Sequence, residues 1–272
     1  MLSKINQAAD VLREKGVSAP QVGVILGTGL GDTFIEKIND PVIIPYSEIP
    51  HFPEATVSFH KGNLIFGEIG NKKILAMQGR FHYYEGYTMQ EITFPVRVMK
   101  MMGISQLLIS NASGNLNRNW SKGELVLIDD HINLLPDNPL RGIDHSEWDN
   151  PFPDMSAPYS RELNQRLSAI AAEEKITLHT GVYVAVAGPN LETRAEYRYL
   201  RGIGADVVGM STVPEVIVAN HMRLPCCAVS VMTDDCDPDN LHPVSIQEII
   251  AVAGRAEPKL ARLFERLVRE AS

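Results

Sequence analysis

Residues 22–31, VGVILGTGLG, decide the fold class, because five apolar residues lead directly into a turn with glycine at 27, 29 and 31. A short apolar run that ends in glycines is typical of a buried strand whose chain turns sharply at its end. Backbone N–H groups in such a turn can face an anion. The segment is not a dinucleotide fingerprint, because Asp32 stands where the third glycine is required. Two interpretations remain open: a plain structural turn, or a small phosphate turn to which Thr28 adds a hydroxyl.

Apolar runs of this kind recur along the chain and alternate with segments of helical period. We predict strands at 22–26, 64–69, 74–77, 106–110, 125–128, 182–187, 207–210 and 228–232. Four capping boxes of the Ser/Thr-x-x-Glu type predict helix starts at Thr88, Thr193, Thr212 and Ser245. Alternating strands and helices favour an α/β fold with a largely buried sheet. No linker or repeat divides the chain, so one domain is expected over residues 1–272.

Composition excludes several classes of protein. The chain has 272 residues, of which 44% are hydrophobic and 21% charged, so disordered, collagen-like and coiled-coil proteins are excluded. The net charge is −8, so the chain lacks the excess of positive charge that is typical of nucleic-acid-binding proteins. Three cysteines without paired spacing indicate a reducing compartment. No signal-peptide core or spanning apolar run is visible, so we expect a cytoplasmic protein with no membrane partner.

A second motif, GRFHYYEGY at residues 79–87, follows the strand KILAM. Arg80 offers a forked cationic donor that suits phosphate oxygens, and His82 lies two residues later, on the same face if the strand continues. The three tyrosines and Phe81 could form a wall for ring stacking. The alternative is an edge of the sheet with an exposed arginine and ordinary aromatic packing.

A third pair of segments closes two strands and opens two helices. Glu192 lies just past the end of a strand, where α/β proteins commonly bind ligands, and Ser211 immediately precedes a helix start. The alternative for Glu192 is a carboxylate that favours a helix N-terminus, and for Ser211 a capping hydroxyl.

No metal site is predicted. Asp129, Asp130 and His131 form a cluster at the end of a strand that is better explained as structural. The acidic run from Asp235 resembles a calcium loop, but Asn240 stands where that loop requires glycine.

Together, GTGLG, GRFHYYEGY, NASG at 111–114, AGPNLETRAE and GMSTVPEV resemble the trimeric purine nucleoside phosphorylases, in order and over nearly the whole chain. The resemblance implies a single α/β domain whose central mixed β-sheet, a distorted barrel, is flanked by helices. It implies reversible phosphorolysis of purine (deoxy)ribonucleosides to free base and α-(deoxy)ribose 1-phosphate. It also implies a homotrimer and no cofactor, with inorganic phosphate as co-substrate.

The resemblance also implies the site residues. Phosphate would be bound by Thr28, Arg80, His82, Ser211 and the backbone N–H of Ala112. The nucleoside would contact His60, Tyr84, Leu191, Glu192, Met210, Asp234 and Ile246. Phe152 would reach across a subunit interface into the neighbouring subunit's site. His82, Glu192 and Asp234 are the residues expected to carry the catalysis.

The chain departs from the family at two positions. Asp234 stands where the family usually has an asparagine beside the purine N7, and Ile246 where a histidine usually contacts the ribose 5′-OH. Methylthioadenosine phosphorylases resemble the chain at both positions, so a phosphorylase of 5′-modified adenine nucleosides is the alternative function. Ile246 could instead only pack in the last helix, and His242 could supply the missing donor. A nucleoside-binding protein without catalytic activity is a third hypothesis.

Overall fold

The computed structural model describes residues 1–54, 61–144, 148 and 150–271. Within these ranges the strands are Val22–Leu26 (β1), Asn39–Pro45 (β2), Asn63–Ile69 (β3), Lys72–Gln78 (β4), Gln106–Asn115 (β5), Leu125–Asn133 (β6), Leu178–Ala185 (β7), Val207–Gly209 (β8) and Cys226–Asp235 (β9). The helices are Leu2–Glu14 (α1), Asp32–Ile35 (α2), Met89–Met102 (α3), Arg161–Glu173 (α4), Arg194–Gly202 (α5), Val213–His221 (α6) and Ile246–Arg269 (α7). No helix in these ranges is long and apolar enough to cross a membrane.

The strands of the described chain form one mixed sheet in the order β2-β3-β4-β1-β5-β8-β7-β6-β9. An additional parallel pairing of β5 with β9 closes β5, β8, β7, β6 and β9 into a barrel. The expected α/β fold with a distorted barrel is therefore confirmed. β5 is central, since it pairs with β1, β8 and β9.

Helices cover the sheet on both sides, because each carries an apolar stripe toward it. One cluster of buried side chains joins α1, α3 and α6, a second joins α2, α4 and α7, and a third, smaller cluster contains α5. Three capping boxes form as predicted, with Thr88, Thr193 and Ser245 each accepting from the backbone N–H of a glutamate three residues later.

The fourth predicted capping box, at Thr212, is wrong, although α6 begins there. Thr212 has a φ of 69° and its side chain makes no capping bond; its hydroxyl instead accepts from Asn111 Nδ2 at 2.9 Å. Glu215 turns away to bind a buried arginine. A strained backbone at a non-glycine residue costs on the order of 1–3 kcal/mol and is typical of functional sites.

Candidate active site

A cavity of about 260 Å³ opens where the ends of β1, β4 and β9 approach the middle of β5. The residues predicted for phosphate and nucleoside meet on its wall: Thr28, Arg80, His82, Tyr84, Ala112, Leu191, Glu192, Met210, Ser211, Asp234 and Ile246. They come from segments up to more than 200 positions apart in sequence. Two predicted residues do not join them: His60 lies outside the described residues, and Phe152 is 90% exposed on the protein surface.

The glycine-rich turn brings Thr28 to the cavity because glycine permits a close backbone approach. An added Cβ at Gly27 would lie 2.8 Å from the Ser110 carbonyl oxygen and from Asn111 Cα. The N–H of Gly27 donates to the Ser110 hydroxyl at 3.1 Å, so the turn is fixed against β5. The helix that follows, α2, has only four residues.

Arg80 is held in place by a buried ion pair. Its Nε and Nη2 donate to Glu215 Oε1 at 3.1 and 2.7 Å, and its Nη1 donates to the Ser110 carbonyl at 2.7 Å. An arginine has five N–H donors, so these bonds leave two for a ligand. Glu215 was not predicted as a site residue, since its sequence position indicated a helix cap.

His82 lies at the start of a short 3₁₀ turn. Its Nδ1 is 2.9 Å from Glu85 Oε1, and its ring stacks on Tyr84 with centroids 4.7 Å apart. Burial lowers the pKa of His82, and the nearby Arg80 adds to this effect, while the hydrogen bond to Glu85 opposes it. A neutral imidazole that donates through Nδ1 to a carboxylate keeps Nε2 as an acceptor, which suits the proton of a hydrogen phosphate ion.

Ser211 and Asn111 belong to a connected polar network under the cavity. The Ser211 N–H donates to the Tyr183 hydroxyl at 3.2 Å. The Ser211 hydroxyl contacts Thr212 Oγ1 at 3.2 Å, and Asn111 Oδ1 accepts from Ser230. The Thr212 hydroxyl, which accepts from Asn111, thereby helps to orient the Ser211 hydroxyl.

The carboxyl groups of Glu192 and Asp234 also line the cavity. Burial raises the pKa of both Glu192 and Asp234, and the charge of Asp234 raises the pKa of Glu192 further. Asp234 is buried near the end of β9, at an irregularity in its pairing with Gly114 of β5. Such a pair resists simultaneous ionisation unless a ligand supplies donors to it.

Ile246 begins α7 and is 43% exposed on the cavity wall, so its side chain is not part of the packed stripe that starts at Val252. Ile249 also lines the cavity. His242, the other predicted contact for the ribose 5′-OH, lies on a neighbouring cavity of about 820 Å³ that shares Thr233 and Asp234 with the first.

In the part of the chain that the structure describes, no three His, Cys, Asp or Glu side chains converge in a way that could hold a metal ion. His131 instead places Nδ1 3.1 Å from the Tyr159 hydroxyl, as a structural residue would.

The fold and the cavity match known proteins over nearly the whole chain. The Phosphorylase superfamily model matches residues 21–269. Purine nucleoside phosphorylase 1 of Bacillus subtilis is 41% identical over 270 residues, which is 99% of each chain. Isoform 2 of purine nucleoside phosphorylase from Schistosoma mansoni, solved with cytosine and ribose-1-phosphate, has a TM-score of 0.94 and 40% identity, covering 99% of this chain and 97% of that one.

A purine nucleoside phosphorylase from the same organism, solved with adenosine, has a TM-score of 0.93 and 36% identity, covering 99% of this chain and 98% of that one. The chain belongs to the phosphorylase superfamily and, within it, to the purine nucleoside phosphorylases.

Proposed function

We propose that the chain catalyses the reversible phosphorolysis of purine ribonucleosides and deoxyribonucleosides, giving the free base and α-(deoxy)ribose 1-phosphate. The observation that carries this proposal is the shared cavity, which places a buried arginine and several hydroxyl donors opposite two carboxyl groups. In a protein of net charge −8, a phosphate ion needs such local donors. The proposed single domain spans residues 1–272.

In the proposed reaction, a phosphate oxygen bonds to C1′ of the sugar while the bond from C1′ to N9 breaks. The electron pair of that bond leaves with the purine. Thr28, Arg80, His82, Ser211 and the N–H of Ala112 would hold the phosphate against the positive charge that develops on the ribose. Electrostatic stabilisation of this kind is often the largest catalytic contribution. Placement of the two reactants supplies much of the rest.

The leaving purine would lie between Glu192 and Asp234. Ionised Glu192 would accept from the N1–H and 2-amino group of a 6-oxopurine. Asp234 retains its proton more readily than an exposed aspartate, because burial raises its pKa. It would give a hydrogen bond to N7, which stabilises negative charge on the base. No metal or organic cofactor takes part in this proposal.

The sugar would contact Tyr84 and Met210, with Leu191 beside the base and Ile246 near C5′. Burial raises the pKa of Tyr84 to about 12, so its hydroxyl stays protonated as a donor. Ile246 cannot bond a 5′-OH, and it would tolerate an apolar 5′ substituent. By the family resemblance alone, we propose that His60 lies near the phosphate entrance.

Substrate choice tests the proposal. We expect base release from inosine, guanosine and adenosine in the presence of phosphate, and acceptance of methylthioadenosine through Ile246. The observation that favours adenine nucleosides is Asp234, and the Schistosoma relative solved with adenosine supports it. Rates for the four nucleosides, with and without phosphate, decide this. Activity on methylthioadenosine alone would favour the 5′-modified adenine nucleoside phosphorylases instead.

We further propose a homotrimer in which Phe152 completes the neighbouring site. A phenylalanine that is 90% exposed favours an interface role, because burial of its ring on a partner stabilises the assembly by about 2 kcal/mol. Phe152→Ala should lower kcat/KM for the nucleoside without changing the KM for phosphate. Light scattering with activity across a dilution series is the measurement, with Tyr199→Ala as an exposed control. A fully active monomer would contradict the proposal.

The state of the cysteines supports a proposal for the cellular location. Cys226, Cys227 and Cys236 are all free and buried, which supports our proposal of a reducing, cytoplasmic compartment.

A further inference from the structure

Two side chains, one with a hydroxyl and one with a thiol, donate hydrogen bonds to the carboxyl group of Asp234. The Thr233 hydroxyl donates to Oδ1 at 2.8 Å, and the Cys236 thiol donates to Oδ2 at 3.3 Å. All three side chains are buried. Because each carboxyl oxygen already accepts one bond from the protein, the orientation of the carboxyl group is fixed before any base binds.

Tyr197, on α5, is buried and packs in the same apolar cluster as Cys236. It therefore offers a neighbouring buried position at which a substitution can serve as a control for packing.

Gly114 of β5 makes the space for this arrangement. An added Cβ at Gly114 would lie 2.4 Å from Cys236 Sγ and 3.2 Å from Asp234 Oδ2. The thiol therefore fills a position that a side chain at residue 114 would take. The close fit restricts Cys236 to the placement in which it donates to Asp234.

We propose that Cys236 is a positioning residue that sets the choice between 6-aminopurine and 6-oxopurine nucleosides through Asp234. Its side chain is not among those that line the cavity, so it acts through another residue. The inference rests on the proposed function, because it needs a purine between the two carboxyl groups.

The direction of each effect follows from hydrogen-bond chemistry. In either protonation state, Asp234 can turn one acceptor oxygen toward the 6-substituent, which matches an amino group and opposes a carbonyl. Loss of the thiol frees the carboxyl group to rotate, so kcat/KM for a 6-aminopurine nucleoside falls more than that for a 6-oxopurine nucleoside.

Steady-state kinetics of matched variants test the inference. We expect Cys236→Ala to lower kcat/KM for adenosine about tenfold and that for inosine by no more than about twofold. Cys236→Ser retains a donor of similar size and should restore adenosine activity. Tyr197→Phe, a substitution in the same buried cluster, is the packing control and should leave the ratio of kcat/KM for adenosine to that for inosine unchanged. Thermal melts of each variant identify those that fail to fold.

The outcomes separate this inference from the proposed function. If the wild type releases no base from any purine nucleoside with phosphate, the proposed function fails. If the wild type uses inosine but not adenosine, or if Cys236→Ala lowers kcat/KM for both substrates in parallel, the positioning role is overturned. If Cys236→Ala does not fold, Cys236→Val, which also lacks a donor, carries the test, because an unchanged adenosine-to-inosine ratio of kcat/KM in that variant would overturn the role.

Discussion

Arg80→Met is expected to lower kcat/KM for phosphate roughly a hundredfold, with a much smaller change in nucleoside binding. The two guanidinium N–H groups of Arg80 that its bonds within the protein leave over are charge-assisted donors on the wall of the cavity. Loss of such bonds in a shielded site costs on the order of 3 kcal/mol, which corresponds to about two decades in rate. Kinetics with varied phosphate at saturating inosine measure the effect.

The same substitution also breaks a buried ion pair, and this needs its own control. Removing one partner of such a pair costs about 3–5 kcal/mol of folding free energy, because Glu215 is left charged and buried. Arg80→Met combined with Glu215→Leu removes both charges, and it should recover much of the lost stability. The double variant should still be defective toward phosphate. Recovery of normal phosphate use in it would remove Arg80 from the phosphate site.

Asp234→Asn is expected to lower the ratio of kcat/KM for adenosine to that for inosine by about 10²-fold. The asparagine amide can donate to both N7 and the 6-oxo group, whereas an aspartate presents an acceptor to the 6-substituent. Exchange of a matched for a mismatched polar contact in a buried site is worth about 1–3 kcal/mol for each substrate. Because the two substrates move in opposite directions, the ratio changes more than either rate.

Asparagine has nearly the shape of aspartate, so Asp234→Asn should fold normally. Glu192→Gln serves as the matched control on the other carboxyl group, and it should impair inosine and guanosine more than adenosine. If the wild type does not use adenosine and Asp234→Asn gains nothing on inosine, the selectivity role assigned to Asp234 is wrong.

The sequence predicts most strands because their apolar runs are buried, and it misses β2 for the same physical reason. Five of the seven residues of Asn39–Pro45 are exposed, and the strand contains Pro41 and Pro45. Such a strand lies at the edge of the sheet, where pairing needs neither an apolar pattern nor every N–H. β9 is longer than predicted because polar residues through Asp235 continue to pair with β5.

The site residues that motifs place on strand ends and helix starts do line one cavity, since those ends converge in a sheet of this topology. The supporting contacts could not be predicted. Glu215 binds Arg80 from 135 positions away, and Tyr197 of α5 packs in one cluster with Cys236, which follows β9. Local spacing carries no signal for such pairs, because they depend on how the barrel closes.

The most direct test of the proposed phosphorolysis is to measure release of hypoxanthine from inosine in parallel with and without phosphate. We expect base release only when phosphate is present, together with an equimolar amount of ribose 1-phosphate. Equal release without phosphate, or binding of inosine with no release at all, would contradict it.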